Sequence, residues 1–305
     1  MPDYSIVVPV FNSTPSLNEL FERTHQTMQR MQKSFRMIFV DDGSSDNSWE
    51  VLSALQKSFP DKVAAVRLAK NFGQHNATLC GIGLAEGEYI LTLDDDLQNP
   101  PEEIEKLIDC MHSTGADLVY GISNNKNHSI ARNVGSAVLK RGSRRIFRTK
   151  GNGSSFRLMK SQLGKNLLNH QINFIYLDEL FNWYTSHIDF VHVEHHARRH
   201  QQSMYTPRSL VSLVSNLVIY YTAIPLKIMV YGGLISSLLS FIAGSFFIYK
   251  KLVMDVPLGF TALIVAILFS TSVILLSLGV IGEYLSRIYM VQNRKPPYSI
   301  KEVLK

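Results

Sequence analysis

The stretch Tyr89-Ile-Leu-Thr-Leu-Asp-Asp-Asp-Leu-Gln98 decides the fold. Its apolar run reads as a buried strand, and it stops in three adjacent carboxylates. A core does not take three ionised neighbours, because each unpaired buried charge costs several kcal/mol. Asp94, Asp95 and Asp96 therefore stand at a strand end, facing water or a cation. An acidic turn is one reading. A helix cap is another, since Pro100-Pro101-Glu102-Glu103 follows as a helix start. Neither explains a strand that delivers Asp94 and Asp96 together, and a divalent-metal site does. Strand alternation turns Asp95 away from the other two.

Working outward, the same pattern recurs. Ser5-Ile-Val-Val-Pro-Val10 is a short β-rich run broken by Phe11-Asn-Ser-Thr-Pro15. Leu17, Leu20, Thr24, Met28 and Met31 then recur at helical spacing. A strand over 35–40 ends in Asp41-Asp42-Gly43, and a helix follows through Trp49, Leu52 and Leu55. A strand over 63–68 leads to Asn71-Phe-Gly-Gln-His-Asn76 and a helix toward Ala85. After the triple Asp come a helix over 102–113 and a strand over 118–121. Strands alternating with helices, each strand ending in polar residues, predict a doubly wound α/β sheet that binds ligands at its carboxyl edge.

Beyond Gly121 the periodicity is less regular. Residues 129–147 read as a basic amphipathic helix carrying Arg132, Lys140, Arg141, Arg144 and Arg145, either a solvated face or one that meets headgroups. Strands are predicted over 156–159 and 190–195, and a short helix over 174–184 carries Asp178 and Glu179. Pro207 opens an apolar stripe of Leu210, Leu213, Val214, Leu217, Val218 and Tyr221, read as an interfacial helix. Residues 228–249 and 259–281 carry no charge. Each makes about 33 Å of helix, enough for a hydrocarbon core of about 30 Å, so the pair predicts a transmembrane hairpin.

The chain has 305 residues, a net charge of +6 and two lone cysteines, Cys80 and Cys110, without metal-ligand spacing. A disulfide framework and a zinc site are both disfavoured. The basic excess has no aromatic-interleaved groove, so a membrane surface is expected as partner and nucleic acid is not. No signal peptide is read at the N-terminus. Basic residues flanking the spans place both ends in the cytoplasm, although Lys250 and Lys251 in the hairpin loop mildly oppose this. His75, His195 and His196 are scattered over separate motifs and are read as loop or packing residues.

Four motifs taken in order are Val7-Val-Pro-Val-Phe-Asn12, Val40-Asp-Asp-Gly-Ser-Ser-Asp-Asn-Ser48, Asn71-Phe-Gly-Gln-His75 and Asp94-Asp-Asp-Leu-Gln-Asn-Pro-Pro-Glu102. Together they resemble the family 2 glycosyltransferases, in particular their polyprenyl-phosphate branch. The resemblance covers nearly the whole chain, including the C-terminal Leu278-Gly-Val-Ile-Gly-Glu-Tyr-Leu-Ser-Arg-Ile-Tyr289. It implies a GT-A (Rossmann-like, doubly wound) catalytic domain over 1–206, an interfacial helix over 207–223, a two-helix transmembrane hairpin over 224–290 and a cytoplasmic tail over 291–305. It further implies Mg2+ or Mn2+ held by Asp94, Asp96 and Gln98. Pro9 and Phe11 would border the nucleotide, with Asp41 on the base or ribose and Asp42 nearby. Arg198 and Ser203 would close over the sugar diphosphate, with Arg132 a further phosphate contact, and Asp178 would position the acceptor.

The implied partners are a nucleotide-sugar, most readily UDP-linked, and a polyprenyl phosphate in the bacterial inner membrane. A homotetramer is implied as well, although no residue pattern requires it. Departures from the branch stand at Ser13, Ser123, Ser155, Gln201 and Met204. Two rival functions stay open. A processive polysaccharide synthase would need a Gln-x-x-Arg-Trp motif, and neither Trp49 nor Trp183 follows an Arg. A membrane-tethered nucleotide- or lipid-binding module without turnover would leave the Asp94-x-Asp96 pair without a purpose.

Overall fold

The computed structural model describes residues 2–123, 154–169, 176–196, 224–254, 259–292 and 296–305. The chain divides into two units, Met1–Met204 with Pro296–Lys305, and Tyr205–Lys295.

In the first unit, β1 (Tyr4–Val10) is buried along its whole length, as its unbroken apolar run requires of a central strand. It is followed by α1 (Leu17–Arg30), β2 (Phe35–Asp41), α2 (Ser48–Ser58), β3 (Val63–Leu68), α3 (Gln74–Leu84) and β4 (Tyr89–Thr92). A 3-10 turn over Pro101–Glu103 opens α4 (Ile104–Thr114), and β5 (Leu118–Ser123), β6 (Arg157–Lys160), α5 (Ser161–Leu167), α6 (Leu177–Tyr184) and β7 (Ile188–Val193) come next. Helix α1 buries Leu17, Leu20, Phe21, Thr24, Thr27 and Met28, one stripe at the spacing that the sequence shows.

Strands β3, β2, β1 and β4 lie side by side and parallel. Val10 pairs with Asp41, so β1 and β2 end level, while β4 ends at Thr92, opposite Val7. That register brings the residues after Val10, Asp41 and Thr92 out at the same edge of the sheet. The doubly wound expectation holds for this half and needs correction beyond it. Strand β6 inserts antiparallel between β4 and β5, and β7 adds parallel to β5. The described sheet is mixed, in the order β7-β5-β6-β4-β1-β2-β3-β8.

The last of these strands, β8 (Ile300–Leu304), lies within the segment that the sequence reading leaves as a tail. It pairs antiparallel with β3, from Ala65 opposite Leu304 to Leu68 opposite Ile300, and Ala69 N–H donates to the Ser299 carbonyl at 2.8 Å. Deleting Pro296–Lys305 bares the edge of β3 and uncovers core packed under Leu304. A loss of about 2 kcal/mol is expected, which corresponds to a fall of roughly 4–8 °C in the thermal unfolding midpoint of the detergent-purified protein.

The second unit holds two long helices, α7 (Ile224–Met254) and α8 (Phe260–Gln292). The first runs past the 228–249 stretch at both ends, and the second starts at Phe260 and runs past residue 281. Among the described residues one segment, Phe269–Ser286 of α8, is long and apolar enough to cross a membrane, and none of it is buried in the protein. The expected interfacial helix over 207–223 and the basic helix over 129–147 lie outside the described residues.

Candidate active site

At the shared strand edge a cleft of about 210 Å3 is lined by Pro9, Val10, Phe11, Asp42, Asn71, Gly73, Gln74 and the three carboxylates Asp94, Asp95 and Asp96. Five of the predicted residues (Pro9, Phe11, Asp42, Asp94 and Asp96) therefore meet in one place. Asp41 sits just behind them and is fully buried. Its Oδ1 accepts the Ser44 N–H at 2.9 Å, and its Oδ2 lies 3.4 Å from Arg67 Nε without a hydrogen bond. Asp42 accepts the backbone N–H groups of Phe72 at 2.7 Å and Gly73 at 2.8 Å. It thereby holds the Asn71–Gln74 loop against the cleft, and burial raises its carboxyl above the ordinary value despite those two bonds.

Asp94 is gripped on both oxygens. Gln74 Nε2 donates to Oδ1 at 2.7 Å, and the Ser155 hydroxyl donates to Oδ2. Asp96 Oδ1 accepts the Gln98 N–H at 3.1 Å, closing a turn in which buried Leu97 takes φ +58°. A left-handed leucine is strained, and such strain is held where the surroundings over-determine it.

Strand alternation does not govern Asp95, because β4 ends at Thr92 and a turn sets its direction. Its carboxylate accepts the Phe11 N–H at 3.1 Å, and its carbonyl accepts the Ser16 hydroxyl at 2.5 Å. Although solvent touches Asp95, the surrounding protein pushes its carboxyl up to about 7 by burial. It ties the Phe11 turn to the carboxylate turn. Ser13, a departure from the branch pattern, is buried in the same junction: its N–H donates to Ser48 Oγ at 3.0 Å and its hydroxyl to the Phe11 carbonyl at 3.2 Å.

Among the described residues no three of His, Cys, Asp and Glu form a closed metal cage. Two carboxylates on one cleft fit a different site type. Mg2+ and Mn2+ favour oxygen, and Mg2+ is commonly held by one or two carboxylates with substrate phosphates completing its shell. Asp94 and Asp96 meet that description. The Gln98 side chain does not line the cleft, while its carbonyl accepts the His196 N–H at 2.8 Å.

Behind Asp94 lies a polar cluster that the sequence reading missed, apart from Asp178. Arg157, buried in β6, places Nη1 2.6 Å from Asp178 Oδ1 and donates Nε–H to Thr92 Oγ1 at 3.1 Å. The Tyr120 hydroxyl donates to the same Asp178 oxygen at 3.0 Å. The guanidinium also stacks over Tyr120 and Phe181, with centroids 5.9 and 5.2 Å away. A lone arginine in the apolar run Phe156-Arg-Leu-Met159 was the available signal.

His75 belongs to this cluster as well, edge-on to the Tyr176 ring with centroids 5.1 Å apart. Burial lowers its pKa from 6.5 to about 4, against the pull of Asp178. Between those values the unfolded chain binds a proton that the native imidazole refuses. Stability is therefore lost as pH falls from 6.5 toward 4. His75→Asn is expected to remove that component, at most about 3 kcal/mol, as read from urea unfolding at pH 7 and pH 4.5.

His195 and His196 are exposed, in a separate cleft with Lys106, Ser123, His192 and Glu194. Arg132, Arg198, Gln201, Ser203 and Met204 lie outside the described residues.

Residues 5–183 match the model for "Glycosyl transferase family 2". Over 99% of its length the chain is 31% identical to an undecaprenyl-phosphate 4-deoxy-4-formamido-L-arabinose transferase from Pseudomonas savastanoi pv. phaseolicola, covering 90% of that protein. The transferase of the same name from Edwardsiella ictaluri is also 31% identical, with 99% of this chain and 94% of that one covered. Among solved structures, glucosyl-3-phosphoglycerate synthase from Mycobacterium tuberculosis, with Mn2+, uridine-diphosphate-glucose and phosphoglyceric acid, superposes with a TM-score of 0.50. The match covers 72% of this chain and 78% of that one at 15% identity, a likeness of fold.

Proposed function

The chain belongs to glycosyl transferase family 2, and from that premise we propose that it moves a sugar from a nucleotide-sugar to undecaprenyl phosphate at the cytoplasmic face of the bacterial inner membrane. The carrying observation is the cleft at the strand edge, where Asp94 and Asp96 stand beside Pro9, Phe11 and Asp42. The acceptor comes from relatives named for undecaprenyl phosphate that are aligned over 99% of the chain.

Pro9 and Phe11 border the base and ribose, and Asp41, whose Oδ2 is buried beside Arg67, is assigned to the uracil or its ribose from one layer behind them. Asp42 acts one step back by fixing the Asn71–Gln74 loop. Asp94 and Asp96 would hold Mg2+ or Mn2+ together with the donor diphosphate, with Gln98 assigned a further contact there. A cation so held neutralises the charge that grows on the departing nucleoside diphosphate. Arg198 and Ser203 are assigned to the sugar diphosphate, and Arg132 to a charge-assisted bond with a phosphate.

The acceptor needs little activation. A phosphomonoester with a second pKa of about 6 is mostly dianionic at neutral pH, so its oxygen attacks the anomeric carbon directly. No strong base is required, which suits an Asp178 already engaged by Arg157 and Tyr120. Direct attack inverts the centre and makes a β-linked lipid phosphate sugar from an α-linked donor. Such a product serves envelope glycans or lipid A and O-antigen modification. Helices α7 and α8 are assigned to a transmembrane hairpin, and residues 207–223 are assigned an interfacial role.

A UDP-linked donor is the leading assignment, and label transfer tests it. Radiolabelled UDP-, GDP- and dTDP-sugars are incubated with the protein, undecaprenyl phosphate and Mn2+, and the chloroform-soluble product is counted. Transfer from a UDP-sugar is expected. Transfer confined to GDP- or dTDP-sugars would overturn the uridine assignment.

A further inference from the structure

The buried polar cluster joins the two halves of the active site. Arg157 Nε–H donates to Thr92 Oγ1, the Thr92 hydroxyl donates to the Ser155 carbonyl, and the Ser155 hydroxyl donates to Asp94 Oδ2. On its other side the same guanidinium holds Asp178. Asp94 follows β4, Ser155 precedes β6 and Asp178 lies on α6, so no single element sets their spacing. One arginine does, clamped between the Tyr120 and Phe181 rings. The Thr92 hydroxyl accepts from Arg157 and donates to the Ser155 carbonyl, so those two bonds strengthen each other, and the second fixes the backbone of the residue whose hydroxyl grips Asp94.

We propose that Arg157 is a positioning residue for transfer: through Thr92 and Ser155 it sets the orientation of Asp94 on the donor side, and directly it sets Asp178 on the acceptor side. This rests on the assignment of Asp94 to the donor diphosphate. A plain core ion pair would explain the bond to Asp178. It would not explain why the second edge of the guanidinium is spent on a threonine whose own hydroxyl supports the residue that grips Asp94. Ser155 gains a role here too. Its hydroxyl supplies a neutral donor to the Asp94 carboxylate.

Lysine keeps the charge of Arg157 but loses the fork, so it cannot hold Thr92 and Asp178 together. Arg157→Lys is expected to lower kcat by about 10–100-fold and to weaken Mn2+ binding in the presence of UDP, the scale seen when outer partners of a ligating group are removed. Ser155→Ala should do the same. The double variant should be scarcely worse than the poorer single, because both break one series. Thr92→Val cuts the series while leaving the ion pair intact, so it tests the idea even if Arg157→Lys folds poorly. Lys160→Met, which removes an ion pair to Asp117 elsewhere, should match wild type.

Calorimetry of Mn2+ with UDP is read beside turnover. Wild-type kcat and Mn2+ affinity in Thr92→Val, or fully multiplicative losses in the double variant, would overturn the proposal. A wild type that binds Mn2+ and UDP without transferring sugar would count against the reaction alone, and the binding comparison would still decide the role of Arg157.

Discussion

Asp94→Ala is expected to lower the rate of sugar transfer by at least about 1,000-fold while leaving the fold intact. The carboxylate stands beyond the last residue of β4, at the cleft wall, and its contacts are to Gln74 and Ser155 rather than to the core. Alanine there removes a proposed metal ligand and leaves the Gln74 and Ser155 donors to water, so the thermal midpoint should move little. Asp96→Ala should behave alike in rate. Its Oδ1 also closes the turn through the Gln98 N–H, so a somewhat larger stability loss accompanies it. Circular dichroism with single-turnover transfer separates the two effects. Wild-type turnover in Asp94→Ala would remove the carboxylate from the chemistry.

Gly43→Ala should have the largest effect on the donor cleft without touching a carboxylate. Gly43 takes φ +72°, and an added Cβ would lie 2.7 Å from the Lys70 carbonyl carbon and 2.8 Å from Asn71 N. Those are backbone atoms and cannot rotate away. A left-handed alanine costs about 1–2 kcal/mol and the enforced backbone shift about 1–3 more, so a total of roughly 2–5 kcal/mol is expected in denaturant unfolding. The shift falls on the segment that Asp42 anchors through the Phe72 and Gly73 N–H groups, and beyond it on Gln74 and Asp94. Uridine diphosphate binding should therefore weaken along with stability. Gly73→Ala is the comparison: nothing lies within 4 Å of the added carbon, but φ +91° with ψ 151° is a region essentially reserved to glycine, so its cost is all backbone conformation.

Much of this site was legible before any coordinates. The parallel strands β1 to β4 are read from unbroken apolar runs, and their polar ends assemble because parallel strands in register end together. The Asp42 and Asn71–Gln74 motifs stood out as motifs, although only the structure shows that one holds the other. Strand partners were harder to read. Hydrophobic periodicity marks β6 as a strand, but nothing local says that it inserts between β4 and β5. Strand β8 was missed because its side chains are largely exposed and Lys301, Glu302 and Lys305 make it look like a solvated tail. Arg157 was passed over for a related reason: a buried charge is recognised by its partners, and these come from β4, β5 and α6. The uncharged stretches located α7 and α8 but not their ends, because the helices continue through Lys250 and Lys251 in one case and Glu283 and Arg287 in the other.

Release of nucleoside diphosphate from a nucleotide-sugar, measured with and without undecaprenyl phosphate, tests the proposed reaction most directly. Wild-type protein with Mn2+ should show release that depends on the lipid and yields an inverted lipid-phosphate sugar, and Asp94→Ala should be slower by about 1,000-fold or more. If no nucleotide-sugar gives lipid-dependent release with the wild type, sugar transfer to a polyprenyl phosphate is contradicted.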